Sequence, residues 1–186
     1  MPMKIRITDI PPGGLEQEFE LDLGALNTRV AGLSEGKKRR EISGPEYVFS
    51  EPPKAKLFVE QEGGTVFLRG ECSGEFRTVC SRCAEEVVKE LDVPIEMVLK
   101  PASQRGVVGA NDEDLEIGFY TNDEIDCGSV VEEFVMLGVP YSVVCTEGCK
   151  GLCPKCGSNL NSTQCGCTIE SENMSPFAVL KQMKLH

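Results

Sequence analysis

The sequence predicts an α+β protein: a curved, mostly antiparallel sheet, a few helices, and a C-terminal segment stapled to the sheet through cysteines. Three observations predict it. Apolar and polar residues alternate over several N-terminal stretches, and a capped apolar stripe near residue 130 has helical spacing. Eight of the ten cysteines fall into four close pairs: Cys80–Cys83, Cys145–Cys149, Cys153–Cys156 and Cys165–Cys167. On this reading residues 1–144 form a sheet-rich core domain. Residues 145–186 form a cysteine-rich segment and a terminal helix packed on that core.

Met3 to Ile10 alternates as a strand until Pro11-Pro12-Gly13-Gly14 breaks it. From Leu15 to Leu23 the odd positions are Leu15, Gln17, Phe19, Leu21 and Leu23, and the even ones are all acidic. That is the period of a half-buried strand. A short helix is expected over residues 24–33. Ala55 to Glu62 and Thr65 to Arg69 read as a hairpin turning at Gly63-Gly64. Gly70 and Gly74 are expected to mark bulges or bends. Glu85 to Leu99 reads as a long strand leading away from the Cys80–Cys83 turn, with Pro94 placing it at an edge or a bulge.

Pro101 to Asp114 is polar and reads as a loop, and Leu115 to Tyr120 reads as a short strand. The helix that follows can be capped by Asp126, or by Ser129 with Glu132 in a capping box. Val130, Phe134 and Leu137, with Val131 and Val135, make its apolar stripe, and Gly138 and Pro140 end it. A last helix is expected from Ser175-Pro176, a cap followed by proline at the first helical position. Phe177, Leu180 and Lys184 follow at helical spacing.

A chain of 186 residues can bury a core without needing cross-links to fold, so ten cysteines require another reason. No apolar run resembles a signal peptide, and none approaches the roughly 20 residues of a membrane span. The expectation is a soluble, cytoplasmic protein with no membrane partner. In that compartment thiols stay reduced, and paired cysteines argue for a metal over disulfides. Zinc takes four thiolates in a tetrahedron, so one or two structural zinc ions are expected.

Cys153-Pro154-Lys155-Cys156-Gly157 has the form of a zinc knuckle: Pro154 presets the turn and Gly157 can adopt a left-handed backbone. Backbone N–H groups of such a turn can point at the sulfurs, and Lys150 and Lys155 stand near them in sequence. One arrangement groups Cys153, Cys156, Cys165 and Cys167 on one ion and Cys80, Cys83, Cys145 and Cys149 on another. The second groups Cys145, Cys149, Cys153 and Cys156, and spacing permits both. Cys72 and Cys127 are isolated and read as buried thiols. The single histidine is His186, and neither H-x-E nor H-E-x-x-H occurs. The pattern thus lacks the base expected beside a catalytic zinc, and neither an enzyme nor a small-molecule substrate is expected.

The chain carries 30 acidic residues against 19 basic, a formal net charge of −11. Two four-thiolate zinc sites would take this to roughly −15. Such a field does not attract nucleic acid and suits a basic protein partner. The one basic cluster, Lys37-Lys38-Arg39-Arg40, offers a local RNA contact or, flanked by Glu35 and Glu41, a solvated loop.

Three segments, in order, resemble the YceD-like family: VCSRCAEEV from Val79 with its Cys80-Ser81-Arg82-Cys83 turn, LGVPYSVVCTEGCKGLCPKCGSNLNSTQCGC from Leu137, and SPFAVLKQMK from Ser175. The resemblance implies a noncatalytic ribosome-biogenesis factor that promotes accumulation or processing of large-subunit ribosomal RNA. It further implies action through a basic ribosomal protein or a pre-ribosomal particle. A redox-switched zinc holdase chaperone is the alternative, because oxidation of paired thiolates to disulfides releases their metal. A thiol oxidoreductase at Cys80–Cys83 is less consistent with the sequence, which lacks the βαβ setting of a thioredoxin-like site.

Overall fold

Alternating apolar and polar residues build a six-stranded mixed sheet, to which two helices add their apolar faces. In chain order the elements are β1 (Lys4–Arg6), β2 (Leu15–Glu20), α1 (Leu23–Glu35), β3 (Val48–Phe49), β4 (Lys54–Glu62), β5 (Thr65–Val79), β6 (Glu86–Pro101), β7 (Ile117–Tyr120), β8 (Glu124–Asp126) and α2 (Cys127–Gly138). This computed structural model describes residues 3–35, 47–104 and 117–167. The basic run Lys37–Arg40, the expected loop beyond residue 104, the first two residues of the strand expected from Leu115, and the expected helix from Ser175 lie outside the described residues.

The strand order is β2-β4-β5-β6-β7, with β3 pairing β5 beyond the end of β4. These pairings are antiparallel except the last, where β7 runs parallel to β6. The expected hairpin at Gly63-Gly64 joins β4 to β5, and both glycines take positive φ. Pro94 pairs with Glu71 of β5, while β7 reaches only residues 98–101 of β6. Among the described residues the β7 side of β6 carries no second ladder there, which is where a residue without an N–H is tolerated.

Three expectations need correction. The strand expected from Met3 to Ile10 ends at Arg6, and Ile7–Asp9 form a 3-10 turn. Its partner among the described residues, β8, begins at Glu124 opposite Arg6, and Asn122 and Asp123 before it turn at positive φ, so the ladder cannot continue. Gly70 and Gly74 mark no bulge, since β5 keeps one register with β6 through both and with β4 through Gly70. Gly70 is required by close approach instead: a Cβ there would lie 2.0 Å from the Lys56 carbonyl oxygen. Finally, the expected apolar stripe of α2 holds at Val131 and Val135 but not at Leu137. Cys127, Val131 and Val135 are buried, and Gly138 closes the same face against Val93. Val130 and Phe134 lie at the margin and Leu137 is 80% exposed. The Asp126 carboxylate caps this helix by accepting the Ser129 N–H at 3.0 Å, and Glu132 pairs with Arg29 of α1 at 2.6 Å.

The main core is one large cluster. Leu57, Val59, Val66, Leu68, Cys72, Phe76, Val93 and Ile95 of the sheet meet Leu26 and Val30 of α1 and Val131 and Val135 of α2. Asn27 of α1 bonds both the N–H and the carbonyl of Phe49, which holds the short β3 in place. No described helix is long and apolar enough to cross a membrane.

Leu26→Ala should cost about 2–5 kcal/mol in denaturant unfolding, because Leu26 is wholly buried, whereas Leu137→Ala should fall within about 0.5 kcal/mol. Equal costs would contradict the exposed placement of Leu137. Gly70→Ala should destabilise by about 3 kcal/mol or more, since the clash is with backbone; an unchanged unfolding midpoint would contradict the close approach.

Candidate metal centre

The two longest strands, β5 and β6, meet in a turn whose four-residue tip is Cys80-Ser81-Arg82-Cys83. The turn closes with the Ala84 N–H on the Cys80 carbonyl at 2.9 Å and the Cys80 N–H on the Glu85 carbonyl at 2.8 Å. Cys153–Cys156 repeats this arrangement: Gly157 N–H to Cys153 carbonyl at 2.8 Å, Cys153 N–H to Ser158 carbonyl at 2.8 Å. The fourth residue after the first cysteine is left-handed in both, Gly157 at φ 73° and Ala84 at φ 59°. Glycine takes that conformation freely and alanine does not. The expected role of Gly157 is present, and its counterpart Ala84 carried no sequence signal.

The eight paired cysteines gather into two groups: Cys80, Cys83, Cys145 and Cys149 in one, Cys153, Cys156, Cys165 and Cys167 in the other. Within each group all four sulfurs lie within 4.8 Å of one another. This is the first of the two arrangements that spacing permits. Cys80 Sγ lies 3.8 Å from Cys149 Sγ, and Cys83 Sγ lies 3.7 Å from Cys145 Sγ. A disulfide needs about 2 Å. Four sulfurs about 2.3 Å from one ion at tetrahedral angles lie about 3.8 Å apart. The donor set and its spacing therefore fit a thiolate-bound metal ion, and either group could hold one. Cys72 and Cys127 stand apart in the core.

Donors converge on the first group. The N–H groups of Arg82 and Cys145 point at Cys80 Sγ at 3.4 and 3.3 Å, and the Asn161 amide donates to Cys149 Sγ at 3.3 Å. Burial pushes the Cys80 thiol up, but the N–H groups of Cys83, Arg82 and Cys145 outweigh it and bring it down to about 6. The Asn161 amide likewise lowers Cys149. At Cys83 the Glu85 N–H pulls down, yet burial and the neighbouring sulfurs push the thiol up to about 12. Cys145 is raised by the Cys149 sulfur and by burial.

The second group behaves alike. The Ser158 hydroxyl, 3.2 Å from Cys156 Sγ, helps lower that thiol to about 6, and backbone N–H groups of Cys156 and Lys155 lower Cys153. The Cys156 sulfur pushes Cys167 up to about 12; at Cys165 the Cys167 N–H is outweighed by the Cys153 sulfur and burial, and the thiol rises. In each group, then, two thiols favour ionisation and two resist it. Four thiolates this close repel one another, and a dication at their centre removes that conflict.

Sequence reasoning missed the residues that join the groups. Arg82 donates to the carbonyls of Cys149 and Glu147 at 3.1 and 3.4 Å, and its own carbonyl accepts the Leu152 N–H at 3.0 Å. Asn159 donates to the Glu85 carboxylate at 2.7 Å and accepts the Asn161 N–H at 2.9 Å. Asn161 accepts the Lys150 N–H at 2.8 Å. Asn-x-Asn in a Gly- and Ser-rich loop is a signal for side-chain turns of this kind. Lys150 and Lys155 are exposed, and the groups that bond the sulfurs are backbone N–H groups, the Asn161 amide and the Ser158 hydroxyl rather than ammonium groups.

Burial pushes the Cys72 and Cys127 thiols up to about 11. At pH 8 roughly one part in a thousand is then thiolate, the reactive form. Both should resist iodoacetamide in the folded protein and react once denaturant opens the core, as peptide mass spectrometry would record. Rapid native labelling of either would contradict its placement.

The family model described as "Large ribosomal RNA subunit accumulation protein YceD" matches residues 68–184. A chloroplastic large ribosomal RNA subunit accumulation protein YCED homolog 1 of Arabidopsis thaliana is 24% identical over 184 residues, covering 82% of this chain and 56% of that protein. The Zea mays protein of the same name is 38% identical over 58 residues, 31% of this chain and 20% of its own length. An uncharacterized protein of Mycobacterium tuberculosis is 31% identical over 107 residues, 57% of this chain and 50% of its own. The chain thus spans about half or less of these relatives. No solved structure matches it significantly. The match runs from mid-β5 through both cysteine groups, and the chain belongs to the YceD family of large ribosomal RNA subunit accumulation proteins.

Proposed function

We propose that this chain is a noncatalytic ribosome-biogenesis factor that promotes accumulation or processing of large-subunit ribosomal RNA through a basic ribosomal protein or pre-ribosomal partner. The family match over residues 68–184 carries the reading. The relatives named for large ribosomal RNA subunit accumulation agree with it.

Charge supports a basic partner. On β5 and β6, Glu71, Glu75, Glu86, Glu90, Asp92 and Glu96 alternate with the core positions and are exposed. Glu75 stands directly opposite Glu90, a like-charge pair that costs sheet stability. Arg69 and Arg77 are the cations on that face of β5, and Arg69 pairs with Glu60. A lysine- and arginine-rich protein surface would relieve the repulsion, while RNA would add to it.

Zinc is the metal that the two four-sulfur groups suit best, as structural ions: every cysteine ligand is already supplied by the protein and no fourth position is left open. Elemental analysis of protein purified under reducing conditions should find two zinc ions per chain; a metal-free, folded protein would overturn this part.

The function is tested in cells and on particles. The protein should co-sediment with large-subunit precursors, and its deletion should lower mature large-subunit ribosomal RNA. Normal ribosomal RNA in the deletion strain, with no co-sedimentation, would sink the reading. Reversing Glu75, Glu90 and Asp92 to lysine should weaken precursor association at least about tenfold and flatten its salt dependence; unchanged association would remove the acidic face from the account.

A second reading is favoured by one observation: Cys156 is exposed and Cys165 and Cys167 are half-buried, whereas three of the four sulfurs in the first group are buried. A peroxide could oxidise two such thiolates to a disulfide, itself reduced to water, and release the ion, as in a redox-switched zinc holdase chaperone. Peroxide should then expel zinc and confer the ability to hold an unfolded client; retention of metal and fold under peroxide would rule this out.

A further inference from the structure

We infer that the two cysteine groups take up their ions cooperatively, and that Asn161 is the positioning residue that couples them. The inference rests on the reading that both groups bind metal. Asn161 lies in the eight-residue loop 157–164, which joins the two halves of the second group, Cys153–Cys156 and Cys165–Cys167. Yet its side chain serves the first group: its amide donates to Cys149 Sγ at 3.3 Å while its oxygen accepts the Lys150 N–H at 2.8 Å.

The rest of that loop is bonded the same way. The Asn159 amide reaches Glu85, just past the first knuckle, and the Leu160 N–H reaches the Gly151 carbonyl at 2.9 Å. Gly151 itself is pressed against Arg82 of that knuckle: a Cβ there would lie 3.0 Å from the Arg82 carbonyl oxygen.

An ion in the second group ties Cys156 to Cys165 and so closes the loop at both ends. Closure costs chain entropy once, and the ordered loop then presents Asn161 to Cys149 without further cost. An ion in the first group makes Cys149 a thiolate, a stronger acceptor for the Asn161 amide, and thereby steadies the same loop. Each ion thus prepares the site of the other, and the coupling must be equal in both directions. Loss of a hydrogen bond to a metal ligand typically lowers affinity 10–100-fold, which sets the size of the effect.

The test uses Co2+ as probe, read by sulfur-to-metal charge-transfer absorption under chelator competition in the full chain. Cys165→Ser/Cys167→Ser leaves the first group alone, and Cys80→Ser/Cys83→Ser leaves the second. The overall two-ion constant of the parent should exceed the product of the two single-site constants by 10–100-fold. Asn161→Asp keeps the acceptor for the Lys150 N–H and removes the donor to sulfur. It should lower the parent's overall constant 10–100-fold and bring the ratio near one. A parent ratio near one would overturn the inference. So would an Asn161→Asp overall constant equal to the parent's, even if a double-serine variant had unfolded and inflated the ratio. Failure of the parent to bind Co2+ at all would overturn the metal reading itself, a distinct result.

Discussion

The β5–β6 pairing is the constraint on which the rest depends. The two strands hold one antiparallel register from Val66–Leu99 to Val79–Glu86. Because side chains alternate with period two, a one-residue slip would send either Leu68, Cys72 and Phe76 of β5 or Val93 and Ile95 of β6 from the core to water. The same slip would also misplace the Cys80–Cys83 turn at the far end. A single register therefore serves two purposes: it places the core at one end of the hairpin and presents two sulfurs at the other. Gly70 and Gly74 belong to this constraint, because they allow β4 and the chain before it to press against the hairpin without interrupting it.

At the hairpin tip the chemistry changes from apolar burial to charge. Cys80, Cys83 and Cys149 form a small cluster separate from the main core. A sulfur in such a place is either a neutral thiol or a thiolate that has found compensation. Backbone N–H groups supply part of it, as they do at Cys80, but a fixed set of dipoles cannot balance four charges in one site. The repeated turn at Cys153–Cys156 solves the same problem with the same hydrogen bonds. Two such turns, one at the end of a hairpin and one in the segment that docks on it, let a stretch with few apolar residues adopt a defined position.

Much of this was legible in the sequence, for identifiable reasons. The β4–β5 turn and β2 have clean alternation or glycine signals, and the bounds of β2 and β4 agree within a few residues, whereas β5 continues ten residues past the expected Arg69 to Val79. The grouping of the sulfurs was open between two arrangements because spacing alone cannot decide which pairs meet in space. The stripe of α2 was right at Val131 and Val135 and wrong at Leu137, because Val130, Val131, Phe134, Val135 and Leu137 offer two apolar stripes. Only the partner surface chooses between them, and Val93 accepts the Gly138 side. Arg82, Asn159 and Asn161 were invisible as a set because they bond a carbonyl, a carboxylate and a sulfur distant in sequence, which no periodic pattern encodes.

The two cysteine groups are not equivalent in setting, although they share a turn. The first is wedged between the hairpin tip and the segment after α2, where Ser81 and Val143 exchange hydrogen bonds and Val143 reaches into the main core. Opening it means disturbing that core. The second is held by its own loop and by the clamp to Arg82 and Glu85, with Cys156 exposed. Local opening is cheapest where few apolar contacts are lost, so an ion held by the second group would exchange before one held by the first, and oxidation would begin there. A strictly structural role and a redox-sensitive one thus differ less in architecture than in how often the outer group opens, a property set by the loop between Cys156 and Cys165 rather than by the ligands themselves.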